Sequence, residues 1–238
     1  MRPENFDQYW DAVDQELSRF PAAPELEVLP MRRTDFATVY GVKLTSIGPY
    51  RIFGYYSVPN GDGPFPGLLI TPKYGSVNHL PHYDDRERYA TLVLMHRGQR
   101  LADEPFAASY PGLLTHEIAD AESYIYRGIV ADCLRGAEFL LSRPEVDGER
   151  VGISGDDLAI ITAAQFAGLL FYRLMEARKH SHAYPIEEVN DYLRTYPDQE
   201  DGVARSLAYL DPVHHASQVT AASLLSIGSG ARNGRDWH

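Results

Sequence analysis

The stretch Arg150-Val151-Gly152-Ile153-Ser154-Gly155-Asp156-Asp157-Leu158-Ala159 decides how the rest of the chain is read. A strand-like run closes on Ser154-Gly155, and a longer apolar segment opens at Leu158. This is the layout of a strand that turns sharply into a helix. Such a turn lifts one side chain above the carboxyl end of a central strand, as a Gly-x-Ser-x-Gly turn does with its serine. Here the lifted position falls to Asp157. The frame of the turn is present and the serine is not.

Working outward, the strand at 151–154 is one of four runs of the buried parallel type. The others are Gly67-Leu68-Leu69-Ile70-Thr71, Thr91-Leu92-Val93-Leu94-Met95 and Ala222-Ser223-Leu224-Leu225-Ser226-Ile227. Apolar residues on both faces imply strands covered by helices on both sides. Between the second and third runs, Tyr126, Ile129, Val130, Cys133, Leu134, Ala137 and Leu141 recur at helical spacing. Strands separated by helices predict an α/β fold with a doubly wound, mostly parallel sheet. Upstream, Val42 and Leu44, then Ile52, Gly54, Tyr56 and Val58, alternate around a turn at Ile47-Gly48-Pro49. This predicts an antiparallel hairpin over 37–59 at one edge of the sheet. Phe6, Tyr9, Trp10, Val13, Leu17 and Phe20 form a stripe that predicts an amphipathic helix over 4–20, stopped by Pro21 and Pro24. With 238 residues, 44% of them hydrophobic, a single domain over 1–238 is expected, its core over 66–238.

Lys+Arg 22 against Asp+Glu 33 leaves a net charge of −11. An acidic chain without basic clusters is a poor match for nucleic acid or an anionic membrane. Cys133 is the lone cysteine, which rules out an internal disulfide and suits a reducing compartment. No apolar signal region opens the chain, and the longest apolar run, Leu158 to Tyr172, is broken by Thr162, Gln165 and Gly168. A soluble cytoplasmic protein is expected.

Several further segments share one resemblance. They are Pro3-Glu4-Asn5-Phe6-Asp7-Gln8-Tyr9-Trp10, Ile52-Phe53-Gly54-Tyr55-Tyr56 with Gly63-Pro64-Phe65-Pro66-Gly67, Tyr110-Pro111-Gly112 and Tyr124-Ile125-Tyr126-Arg127. Pro144-Glu145-Val146-Asp147-Gly148-Glu149-Arg150, Asp191-Tyr192-Leu193-Arg194-Thr195 and Leu207-Ala208-Tyr209-Leu210-Asp211 extend it. The most specific is Arg97-Gly98-Gln99 after the second parallel strand. Together they resemble the acetyl xylan esterase and cephalosporin C deacetylase family (carbohydrate esterase family seven), over nearly the whole chain. The resemblance implies an α/β-hydrolase fold and no cofactor. It also implies a Ser-Asp-His triad with an oxyanion hole of two backbone N–H groups. Carried over, those groups belong to Tyr74 and Leu158; backbone donors do not depend on side-chain identity.

Three departures follow. The family's nucleophile aligns with Asp157, and its next glycine with Ala159. The family's acid aligns with Ala231, with Asp236 a few residues beyond. Its histidine lies beyond one more strand, whereas this chain ends at His238, so the family's C-terminal strand and helix are expected to be missing. Serine needs its base and the base its orienting acid, and losing one member costs nearly as much as losing all.

Asp157 as a nucleophile in its own right, as in haloalkane dehalogenases, would need a His-activated water and donors such as tryptophan. Trp10 and Trp237 are not placed for that. Ser154 reads as a strand residue, His214-His215 as a surface or capping pair, and His180 and His182 as solvated. Asp84, Asp85 and Glu87 read as an exposed acidic loop, Cys133 as core, and no Cys/His spacing suggests zinc. Arg97, after a central strand, is expected to pair with Asp120 or Asp132 and to anchor loops around the pocket.

The leading expectation is an esterase-like scaffold whose hydrolytic chemistry is lost or impaired, with a residual pocket for a small acylated molecule or sugar. The alternative is an active deacetylase of acetylated sugars that uses Asp157 or a site completed by another chain. A third reading is a shortened form of a longer esterase. A strand at 224–227 without its outer neighbour would leave an exposed edge, so a homo-oligomer or a partner chain covering it is expected.

Overall fold

The computed structural model describes residues 2–75, 79–155, 186–211 and 214–223. Among these, helix α1 is Phe6–Ser18, followed by strands β1 (Glu25–Val28), β2 (Ala37–Thr45), β3 (Arg51–Pro59) and β4 (Phe65–Ile70). Then come α2 (Tyr83–Arg88), β5 (Ala90–Met95), α3 (Ile125–Leu141), β6 (Val146–Ser154), α4 (Ile186–Thr195) and α5 (Glu200–Tyr209). The strands form one mixed sheet in the order β1-β2-β3-β5-β4-β6. β1 to β3 and β5 pair antiparallel, while β4 lies parallel between β5 and β6.

The hairpin predicted over 37–59 is present as β2 and β3, with Val42 opposite Gly54 and Leu44 opposite Ile52. It does not form the sheet's edge. β1, whose Leu26 pairs with Val42, lies outside it. All four β1 residues are exposed, so the strand has no buried face to mark it in the sequence. β6 departs from the expectation of burial on both faces: Ile153 is 68% exposed, and β6 is the outermost strand of the described sheet. The strand expected over 222–227 falls, from Leu224 onward, outside the described residues.

Leu44, Ile52, Tyr56, Leu69, Leu92 and Leu94 meet Phe139 and Leu140 of α3 in the main core. Burying each large side chain contributes roughly 1.5–3 kcal/mol. The α1 stripe is core too. Phe6, Tyr9, Val13 and Leu17 are buried with Ala131 and Tyr209. Tyr9 stacks on Tyr209 at 4.2 Å, the Tyr209 hydroxyl donates to Asn5 Oδ1 (2.6 Å), and the Trp10 indole donates to the Tyr209 carbonyl (3.0 Å). At the other end of α1, Arg135 of α3 donates to the Leu17 and Phe20 carbonyls at 2.7 and 2.6 Å. The Leu17 carbonyl also accepts the Phe20 N–H at 3.1 Å, and the buried guanidinium adds a charged donor at this helix end.

Asp84, Asp85 and Glu87 lie in helix α2 and not in a loop. Two carboxylates in its first turn and two arginines in its last complement the helix dipole. Among the described residues no helix is long and apolar enough to cross a membrane.

Candidate active site

The parallel half of the sheet fixes where the loops after β4, β5 and β6 emerge. Ile70 pairs with both Val93 and Ser154, and the Thr71 N–H donates to the Ser154 carbonyl at 3.0 Å. The chain after β4 (Pro72–Gly75) therefore starts beside the exit of β6, where Gly155 follows Ser154. Arg97-Gly98-Gln99 emerges from β5 on the other flank of β4.

Gln99 is fully buried and joins two of these exits. Its Oε1 accepts the His96 N–H at 3.0 Å, which fixes which end of the amide is which. Nε2 then donates to the Lys73 carbonyl (2.8 Å) and to the Gly75 carbonyl (2.6 Å). These two carbonyls flank Tyr74. The Lys73 carbonyl shares a planar trans peptide with the Tyr74 N–H, so holding the oxygen on one side turns the N–H to the other.

Arg97 anchors the β5 exit to α3. Of the two carboxylates weighed in the sequence, Asp132 is its partner. Arg97 Nε meets Oδ2 at 3.0 Å, Nη2 meets Oδ1 at 2.8 Å, and the Arg97 backbone N–H also reaches Oδ2 at 3.0 Å. Asp120 instead closes its own turn, accepting from the Glu122 N–H and the Ser123 hydroxyl. The guanidinium lies 5.0 Å from the centre of the Tyr50 ring. It occupies the space a side chain at 128 would need, since a Cβ on Gly128 would fall 2.5 Å from Arg97 Cζ.

Tyr74 reaches a third segment. Its hydroxyl donates to Oε2 of Glu188 in α4, and its ring meets the Tyr110 ring edge-on at 5.3 Å. Oε1 of Glu188 accepts the N–H groups of Gly112 (2.6 Å) and Leu114 (2.8 Å). Sequence reading missed this glutamate. In Glu187-Glu188, two adjacent carboxylates opening a helix look like solvated charge.

His96 was also missed. It is buried, its Nδ1 lies 2.5 Å from the Arg97 carbonyl, and its Nε2 finds no hydrogen-bond partner among the described residues. Burial pulls its pKa down from 6.5 to about 4. A histidine held neutral in the fold stabilises fully above the unfolded value and loses that contribution as pH falls towards the folded one. From about pH 7.5 to about pH 5, roughly 2 kcal/mol of unfolding free energy should go. Urea unfolding of the protein and of His96→Leu measures it: the variant should lack this component, and parallel pH curves would refute it.

A cleft of about 820 Å³ lies beside β4 and β6, with Lys73, His79, His82, Asp85, Ser154 and Gly155 on its walls.

The acetyl xylan esterase (AXE1) family model matches residues 1–231. The chain belongs to this family. An acetyl xylan esterase from Paenibacillus sp. R4 superposes with a TM-score of 0.74 at 26% identity, covering 93% of this chain and 78% of that one. Acetyl xylan esterase 1 from Thermoanaerobacterium sp. JW/SL YS485 shares the fold, with a TM-score of 0.66 at 20% identity over 88% of this chain and 74% of that one. Acetyl esterase Axe7A of Xylanibacter ruminicola is 25% identical over 178 residues, 68% of this chain. The chain spans 40% of the length of that curated relative. The mixed sheet, its helices and these acetyl xylan esterase neighbours together make the fold that of an α/β-hydrolase.

Within this acetyl xylan esterase frame, Arg97, Gly98, Gln99 and Tyr74 converge as described. Asp157, Leu158 and Ala159 lie outside the described residues, as do His180, His182, Ala231, Asp236, Trp237 and His238. Ser154 is the last residue of β6, its carbonyl engaged by Thr71. His214 and His215 lie against the Phe6 ring at 5.2 and 4.8 Å, which makes them packing partners of α1. Cys133 packs on the main core, and burial pushes its thiol pKa up to about 12, away from nucleophilic use. Among the described residues no three His, Cys, Asp or Glu side chains gather as a metal site would.

Proposed function

We propose that this acetyl xylan esterase family member binds a small acylated molecule or sugar beside the Tyr74 loop and hydrolyses its ester poorly or not at all. One observation carries the reading: the residue aligned with the family's nucleophile, two positions beyond Gly155 at the end of β6, is Asp157 and not serine. A carboxylate that attacks an acetyl ester forms a tetrahedral adduct with two possible leaving groups. The carboxylate (pKa about 4) leaves far more readily than a sugar alkoxide, so the adduct collapses back to ester. Turnover by this route would also need a base-activated water to cleave the anhydride. The start of the Tyr74 loop beside the β6 exit, where the Thr71 N–H meets the Ser154 carbonyl, supports the Tyr74 backbone N–H as the donor to the bound carbonyl oxygen. The names of the relatives support an acetylated saccharide as the ligand class.

The test is release of nitrophenol from 4-nitrophenyl acetate by the purified protein. The expected rate equals that of buffer and does not change in Asp157→Ala. A rate well above buffer that disappears in Asp157→Ala would overturn the proposal.

A further inference from the structure

We infer that Glu188 is a positioning residue, the post that fixes the Tyr74 loop from the side opposite Gln99. This rests on the reading above that the Tyr74 loop contacts the ligand, and it adds a residue that this reading does not contain.

Glu188 sits in the first turn of α4 and is 9% exposed. Its carboxylate accepts from the Tyr74 hydroxyl through one oxygen and from the Gly112 and Leu114 N–H groups through the other. A buried carboxylate with three donors is held in one orientation, and hydrogen bonds to a charged acceptor are the stronger kind. Both oxygens are engaged within the protein, so the group suits holding and not proton transfer. What it holds is specific. Gln99 grips the main chain on both sides of Tyr74, through the Lys73 and Gly75 carbonyls. Glu188 grips the end of the Tyr74 side chain. A peptide pinned at its flanking carbonyls can still rock about the line joining them, and the phenol anchored to α4 removes that freedom. Glu188 thereby links the loop after β4, the 110–114 segment and α4, and the Tyr74–Tyr110 ring contact lies beside this junction.

The experiment is hydrogen exchange read by mass spectrometry on the full chain, comparing peptides over 72–75, 112–114 and β5. Tyr74→Phe removes only the hydroxyl and leaves both backbone donors on Glu188. Glu188→Gln keeps one carbonyl acceptor for Gly112 and Leu114 and turns an NH₂ towards the phenol. Loss of a hydrogen bond to a charged group should speed exchange over 72–75 by about tenfold or more in Tyr74→Phe, and by less in Glu188→Gln, where the NH₂ can still donate to the phenol oxygen. In Tyr74→Phe the 112–114 and β5 peptides should not change, and combining the substitutions should add nothing over 72–75. Unchanged exchange over 72–75 in Tyr74→Phe overturns the inference, and so does equal acceleration in β5, which a merely structural role would give. If Glu188→Gln fails to fold, Tyr74→Phe alone decides. Exchange is read on the free protein, so a failure here is distinct from a failure of the nitrophenyl acetate test.

Discussion

Asp132→Ala is expected to lower the unfolding free energy by about 3–5 kcal/mol, a large part of the total stability of a domain. Asp132 is fully buried, and its partner's side chain is only 12% exposed. The substitution leaves the Arg97 guanidinium with the Ser46 hydroxyl and the Ile47 carbonyl as its remaining acceptors, at 3.4 and 3.2 Å. Neither oxygen carries a formal charge, so the buried cation stays uncompensated. The same substitution orphans the Arg97 N–H, which costs about 1–3 kcal/mol of that loss. Urea denaturation followed by circular dichroism measures the change. Arg97→Met combined with Asp132→Leu removes both charges and should recover most of the loss, short of the cost of the orphaned N–H. If the double variant is no better than Asp132→Ala, the argument from the unpaired charge is wrong.

Gly98→Ala is the second large effect. Gly98 has φ +87, and a Cβ there would fall 2.7 Å from Phe106 Cε1 and 2.9 Å from Ala108 Cβ. The left-handed backbone costs an alanine about 1–2 kcal/mol and overpacking about 1–3 more, for a sum of about 2–5 kcal/mol. Gly48 separates the two parts, because it shares φ +87 but has nothing within 4 Å of its Cβ position. Gly48→Ala should show only the conformational part, and the difference in urea midpoint between the two variants reads the crowding. Equal losses would mean that Phe106 and Ala108 move aside at no cost. Gly98 lies between Arg97 and Gln99, so its strain would pass to both anchors of the β5 exit.

The periodic parts of the fold were legible in the sequence. The α1 stripe and the β2–β3 alternation each repeat one burial preference many times, and the structure has both. β1 repeats none, because its residues are exposed on both faces. The spacing over 126–141 located helix α3 but not its whole buried face: Leu134 and Leu141 are exposed, while Asp132, Arg135, Gly136 and Phe139 turn inward. The family was legible too, through the resemblance carried by Arg97-Gly98-Gln99 and the other matching segments, and the family model over residues 1–231 bears it out. That Arg97 needed a carboxylate was clear. Which carboxylate was not, because Asp120 and Asp132 are separated by the path of the chain into α3 and not by any local pattern. Glu188 was out of reach for the same reason, since it lies 114 positions along the chain from Tyr74. His96 follows a strand of six buried residues, and its burial was foreseeable from that run. Its lack of a partner for Nε2 was not.

The docking of α1 has a consequence for how the chain comes into being. The helix's stacking partner is Tyr209, and the bond from Tyr209 to Asn5 spans 204 positions. Until Tyr209 is made, its apolar stripe has only Ile47 and Ala131 among this cluster's buried residues to pack on, and the rest faces water or whatever chaperone shields nascent chains. The α1 cluster therefore closes only once Tyr209, far along the chain from the helix, has been made and has folded back onto it.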